Sequence, residues 1–145
     1  MSAFHHTREI QASAEALFQA ISNPARLARW WGPDGFTNSF HEFNFVPGGQ
    51  WNFTMHGPDG ASYQNQAVFT EIYENSNVVI KHVSQPRFTL SISLKSSSTG
   101  TLVNWVQEFE DPVIAASVRH IVEPANEQNL ERWANEVNSL SNPGA

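Results

Sequence analysis

From residue 88 to residue 95 apolar and polar side chains alternate without a break, with Phe88, Leu90, Ile92 and Leu94 on one parity and Thr89, Ser91, Ser93 and Lys95 on the other. A strand with one buried and one wetted face writes this pattern, because successive side chains point to opposite sides of a sheet. Trp51, Phe53 and Met55 against Asn52, Thr54 and His56 repeat it. Over Asn77 to Val83 both parities are partly apolar, and Lys81 assigns the inner face to Val78, Ile80 and His82. Around Trp105 the set Leu102, Asn104 and Val106 competes with Val103, Trp105 and Gln107, and the pattern leaves that choice open. Turn clusters separate these runs at fairly regular intervals: Gly32-Pro33-Asp34-Gly35, Pro47-Gly48-Gly49, Gly57-Pro58-Asp59-Gly60, Glu74-Asn75-Ser76-Asn77, Gln85-Pro86 and Ser96-Ser97-Ser98-Thr99-Gly100. Six strands are therefore expected after Gly35, preceded by one over roughly Phe4 to Gln11.

Helical spacing appears in two places. Leu17, Phe18 and Ile21 follow Ser13, an N-cap residue, with Glu15 in the first turn, where a carboxylate complements the helix dipole. Asn23-Pro24 ends that helix and starts another to about Trp31, since Asn caps and Pro suits the first helical position. Asp111-Pro112 opens a short helical stretch to about Val122, and Glu123-Pro124 is read as a restart leading to about Leu140. In this last helix Leu130, Trp133, Ala134, Val137 and Leu140 form the apolar stripe, and Glu127, Glu131, Arg132 and Glu136 are placed on the wetted faces. Strand, two short helices, six antiparallel strands and a terminal helix make an α+β chain with the helix on one sheet face. A length of 145 residues suits one domain spanning 1–145, with 141–145 expected to fray.

Composition narrows the function. Ten Phe and five Trp against two Met give the interior an aromatic bulk. Net charge is −6 with no cluster of Lys or Arg, which argues against a phosphate-tracking surface for nucleic acid. Without cysteine there are no disulfides and no thiolate metal sites, and no apolar run approaches the ~20 residues of a membrane span. The expectation is a cytoplasmic protein, monomeric or weakly dimeric, that uses neither a membrane nor a cofactor.

Several segments carry a family resemblance. Ala14-x-x-Leu17-Phe18-x-Ala20-Ile21-x-Asn23-Pro24, Trp30-Trp31-Gly32-Pro33-Asp34-Gly35, Phe45-x-Pro47-Gly48-Gly49-x-Trp51 and Asp59-Gly60 resemble the heat-shock-protein ATPase activator homologue branch of the START-related, polyketide-cyclase-like (SRPBCC) superfamily. Phe40-His41-Glu42-Phe43 and Pro124 to Leu130 resemble a bacterial subgroup of that branch. The resemblance implies the helix-grip fold, START- or Bet v-like, in which a curved sheet of about seven strands wraps a C-terminal helix. In relatives the cavity between them accepts lipids, hormones or polyketide-like molecules.

Each candidate motif has a plainer reading beside it. Pro47-Gly48-Gly49 is followed by Trp51 and a strand, not by a helix N-terminus, so it reads as a turn and not as a phosphate cradle. Trp30 and Trp31 are adjacent, so one can enter the core while Trp31 lies near a pocket mouth as a gate. His41 shares its parity with Phe43 and Phe45, His82 faces in and His56 faces out. An inward His is more often a hydrogen-bonded core residue than a catalyst, and no carboxylate stands at a spacing that orients one. The dispersed His residues form no metal-ligand spacing. Asn126 and Asn129 either orient a ligand or cap the helix.

The leading expectation is a binder of a small hydrophobic molecule with Trp31, His41, Phe43, Trp51, Phe53, Met55, His82, Trp105, Asn129 and Trp133 as candidate walls and contacts. A cyclase, dehydratase or hydrolase using His82 or His41 as base is the second reading. A co-chaperone-like interaction module with a chaperone partner is the third, and the polar outer positions Thr89, Ser91, Ser93 and Lys95 speak against it.

Overall fold

In the computed structural model residues 2–141 are described, with side chains through residue 138. Strand β1 (Ala3–Ile10) leads into helices α1 (Ala14–Ser22) and α2 (Pro24–Trp30). Strands β2 (Thr37–Phe43), β3 (Gln50–His56), β4 (Ser62–Tyr73), β5 (Asn77–His82), β6 (Phe88–Ser96) and β7 (Thr101–Phe109) follow, and α3 (Pro112–Ser141) is the last described element. All seven strands pair antiparallel in one curved sheet of order β1-β7-β6-β5-β4-β3-β2. With α3 held against it, this is the helix-grip fold. No helix among the described residues is long and apolar enough to cross a membrane.

The local signals act where the pattern placed them. Ser13 caps α1 by accepting from Ala16 N at 3.1 Å, and Asn23 caps α2 through Ala25 N at 3.0 Å. Gly49 is required at the β2–β3 turn, because a Cβ there would meet Asn44 O at 1.9 Å. Leu90, Ile92 and Leu94 are buried, as are Val78, Ile80 and His82. The competition around Trp105 resolves with Val103, Trp105 and Gln107 inward.

Two expectations change. The helix does not restart at Pro124; α3 runs unbroken over 30 residues, about 45 Å. Its two halves serve two clusters, with Ala115, Ile114, Val118 and Val122 on Phe4 and Phe109, and Leu130, Trp133 and Val137 on the main core. The sequence reads as two helices because Glu123-Pro124 signals a restart, and packing of both halves overrides that signal. The second change is at the wetted faces. Glu136 is held by Arg26 and by a two-pronged contact with Arg29, at 3.2, 3.0 and 2.8 Å, and Arg132 is half-buried against the α2–β2 loop. The expected inward place of Leu140 falls outside the described side chains, and of the expected frayed stretch 141–145 Ser141 is the last residue of α3 while 142–145 lie outside the described residues.

Candidate functional site

Where the sheet bends away from α3 a chamber of about 180 Å³ remains. Strand parity and register build its walls. Phe53 on β3 stands opposite Asn65 on β4, Ala67 opposite His82 on β5, and His82 opposite Phe88 on β6. Leu90 and Gln107 face each other across β6 and β7, and Trp105 lies one inward position away. Trp31, Gly32 and Pro33 close one side, and Ala125, Asn126 and Asn129 of α3 form the lid. No charged side chain lines the space.

The polar groups are few and mostly committed. Asn129 Oδ1 accepts from Gly32 N at 3.2 Å and its Nδ2 donates to Trp30 O at 3.0 Å, so this amide fastens the α2–β2 loop to α3. Asn126 Nδ2 donates to Gln107 Oε1 at 3.0 Å. The other edge of that amide pair has no partner among the described residues, leaving Gln107 an N–H2 to donate and Asn126 an oxygen to accept. Exchanging O and N in both amides would still leave one donor and one acceptor.

His82 is buried and stacked on Phe88, with ring centroids 4.6 Å apart and planes 6° from parallel. Nδ1 donates to Pro86 O at 2.9 Å, while Nε2 sits 2.8 Å from Asn65 Oδ1 and 3.5 Å from the Ser84 hydroxyl. Burial pushes its pKa down from the ordinary value of 6.5, and hydrogen bonds to the Pro86 and Ser84 backbone pull the other way. Burial thus favours the neutral ring, whose Nε2 is an acceptor, and the neutral form is satisfied when the Asn65 amide turns its nitrogen toward it. Because the unfolded chain takes up this proton more readily, folding stability is complete above about pH 6.5 and falls as pH drops below it. His82→Gln is expected to flatten the slope that begins there in urea unfolding at stepped pH. An unchanged slope would assign it to other groups.

The candidate walls divide into two sets. Trp31, Phe53, Met55, His82, Trp105 and Asn129 line the chamber. Trp31 is buried and packs between Trp51 and Trp105 as a wall. Trp51 stacks on Phe53 at 4.2 Å and on Phe69 at 5.7 Å, behind the wall. Phe43 belongs to an aromatic cluster with Phe40, Phe45 and Phe69, and Trp133 stacks on Trp30. His41 lies on the opposite, exposed face, 2.7 Å from Thr54 Oγ1. A bulge between Phe40 and Glu42 shifts the register there, so simple parity counted from Phe43 fails and Phe40 takes the inward place.

Parity would have found Asn65, two and four residues before the buried Ala67 and Phe69. A His–carboxylate contact does exist, between His6 Nδ1 and Glu127, but neither residue lines the chamber. No group of His, Asp and Glu able to hold a metal ion occurs among the described residues.

The profile of the family described as Activator of Hsp90 ATPase homolog 1-like protein matches residues 11–139. Among solved structures, a Nitrosomonas europaea protein superposes with a TM-score of 0.86 at 16% identity, covering 95% of each chain. An Arthrobacter aurescens protein superposes at 0.87 with 19% identity, covering 95% of this chain and 87% of the other. The AHSA1 protein of Silicibacter pomeroyi reaches 0.75 at 21% identity over 94% and 97%. At these identities the likeness shows the fold alone. No curated protein matches the sequence significantly.

Proposed function

The chain belongs to the Activator of Hsp90 ATPase homolog 1-like protein family, and from that premise we propose that it binds a compact, uncharged, aromatic molecule carrying a hydrogen-bond donor beside an acceptor. The observation that carries this reading is the free edge of the Gln107–Asn126 amide pair inside an aromatic, charge-free chamber. Gln107 and Asn126 both line the chamber, so a ligand with the complementary edge can pair both groups there. The chamber is smaller than the ~300 Å³ usual for drug-sized ligands, so the guest is about the size of a single substituted ring. An anion is disfavoured, because no cation is present to offset its desolvation.

Benzamide is the simplest probe with the right edge. We expect it to bind with a sub-millimolar Kd, followed by calorimetry and by quenching of tryptophan fluorescence, since Trp31 and Trp105 are walls. Toluene, lacking the polar edge, and benzoate, carrying a charge, are each expected to bind at least tenfold more weakly, a difference of about 1.4 kcal/mol. Equal binding of all three, or no binding by benzamide, would reject the reading.

A further inference from the structure

The chamber holds little more than one ring, so any substituent on its guest must leave through a wall. Three of its lining residues, Met55, Asn65 and Pro86, also line a second space, an open groove of about 620 Å³ on the surface. We propose that this groove is the second half of the binding site and takes an alkyl or other extended apolar chain attached to the ring. The inference rests on the reading of the chamber above.

The route follows from strand geometry. Tyr63 and Asn65 share one parity of β4, so the face that lines the chamber at Asn65 continues outward to Tyr63. Met55 stands opposite Tyr63 on β3, one inward position beyond Phe53. One continuous inner surface therefore runs from the chamber to the groove. At its outer end α3 borders it only through Ile121, and Tyr63 is 49% and Ile121 59% exposed. Phe36 meets the Tyr63 ring at 6.1 Å and with Met55, Pro86 and Ile121 forms the apolar part of a trough whose remaining lining, Ser62, Gln64, Asn65 and Gln85, is polar but uncharged.

Met55 sits at the junction, its methyl lying against Gly32, where an added Cβ would come within 2.8 Å of it. A thioether with three rotatable bonds can swing to open such a passage without disturbing the backbone. The alternative exit is a hollow that shares only Pro86 with the chamber and is edged by Arg87, Glu110 and Asp111. Charged walls suit an apolar chain poorly.

The test compares benzamide with para-octylbenzamide on the native protein and on the double variant Tyr63→Ser, Ile121→Ser. Both positions are exposed and neither lines the chamber, so the fold and benzamide binding should persist. On the native protein the octyl chain is expected to tighten binding about a hundredfold, from several methylenes leaving water. On the double variant that gain should shrink about tenfold, with benzamide unchanged. If benzamide binds but the chain adds nothing, or its gain survives the double variant, the groove proposal is overturned while the chamber reading stands. If neither probe binds, both fall.

Discussion

Arg132→Ala is expected to cost about 3–5 kcal/mol of folding stability, as much as removing one partner of a buried ion pair, and to lower Tm by roughly 10 °C. The guanidinium leaves α3 and donates to five backbone carbonyls of the segment that ends α2 and enters β2. Nη1 reaches Gly32 O and Pro33 O at 2.8 Å and Trp31 O at 3.3 Å. Nη2 reaches Arg29 O at 2.8 Å and Phe36 O at 3.0 Å. Hydrogen bonds from a charged donor are worth roughly 1.5–3 kcal/mol each before the desolvation of the donor is subtracted. That desolvation is felt here, because burial lowers the arginine's pKa while Asp34 opposes the shift. Without Arg132 the carbonyls of Arg29, Gly32, Pro33 and Phe36 lose this donor, and the segment is left to Asn129 through Gly32 N and Trp30 O, Gln128 through Asp34 N and Asn38 through Ala28 O and Trp31 O.

Arg132→Lys should recover less than half of the loss, since an ammonium has three donors and no planar fork. Urea unfolding monitored by circular dichroism measures both variants. An Arg132→Ala protein within about 1 kcal/mol of native would mean that water replaces all five contacts at little cost. The functional link is direct, because the clamped segment carries Trp31, Gly32 and Pro33, three walls of the chamber.

What the chain discloses in advance follows the range of the interaction. Caps are local: Ser13 and Asn23 act within three residues, and the pattern names them correctly. Alternation is nearly as local, so Phe53, His82 and Leu90 could be assigned to the inner face, and a resemblance supplied the grip. Parity fails where a bulge inserts a residue, as at His41, since nothing in Phe40-His41-Glu42-Phe43 marks the slip except aromatic residues three apart. Long charged side chains mislead for a different reason. Arg132 and Glu136 look solvated on a helical wheel, but α2 lies against that side of α3 and supplies partners more than ninety residues away in sequence. The free edge of Gln107 and Asn126 depends on one contact between strand and helix, and no spacing encodes it.

Trp133→Ala is expected to destabilise the protein by about 3–5 kcal/mol while showing that this indole belongs to the core and not to the guest. Trp133 is fully buried, lies parallel to Trp30 at 4.9 Å and donates from Nε1 to Leu17 O at 3.2 Å. It thus joins α3 to α1 and α2, and its ring meets Trp105, a chamber wall, at 6.4 Å without lining the chamber itself. Truncation leaves a void the size of an indole between three helices, and the Leu17 carbonyl loses its donor. Trp133→Phe isolates the second effect, keeping most of the stacking surface while removing the N–H, and should cost about 1–2 kcal/mol. Because that milder variant stays folded, it also tests the boundary of the site. Benzamide affinity should change less than threefold in Trp133→Phe, whereas a change of tenfold or more would place Trp133 among the walls and enlarge the chamber at the expense of the core.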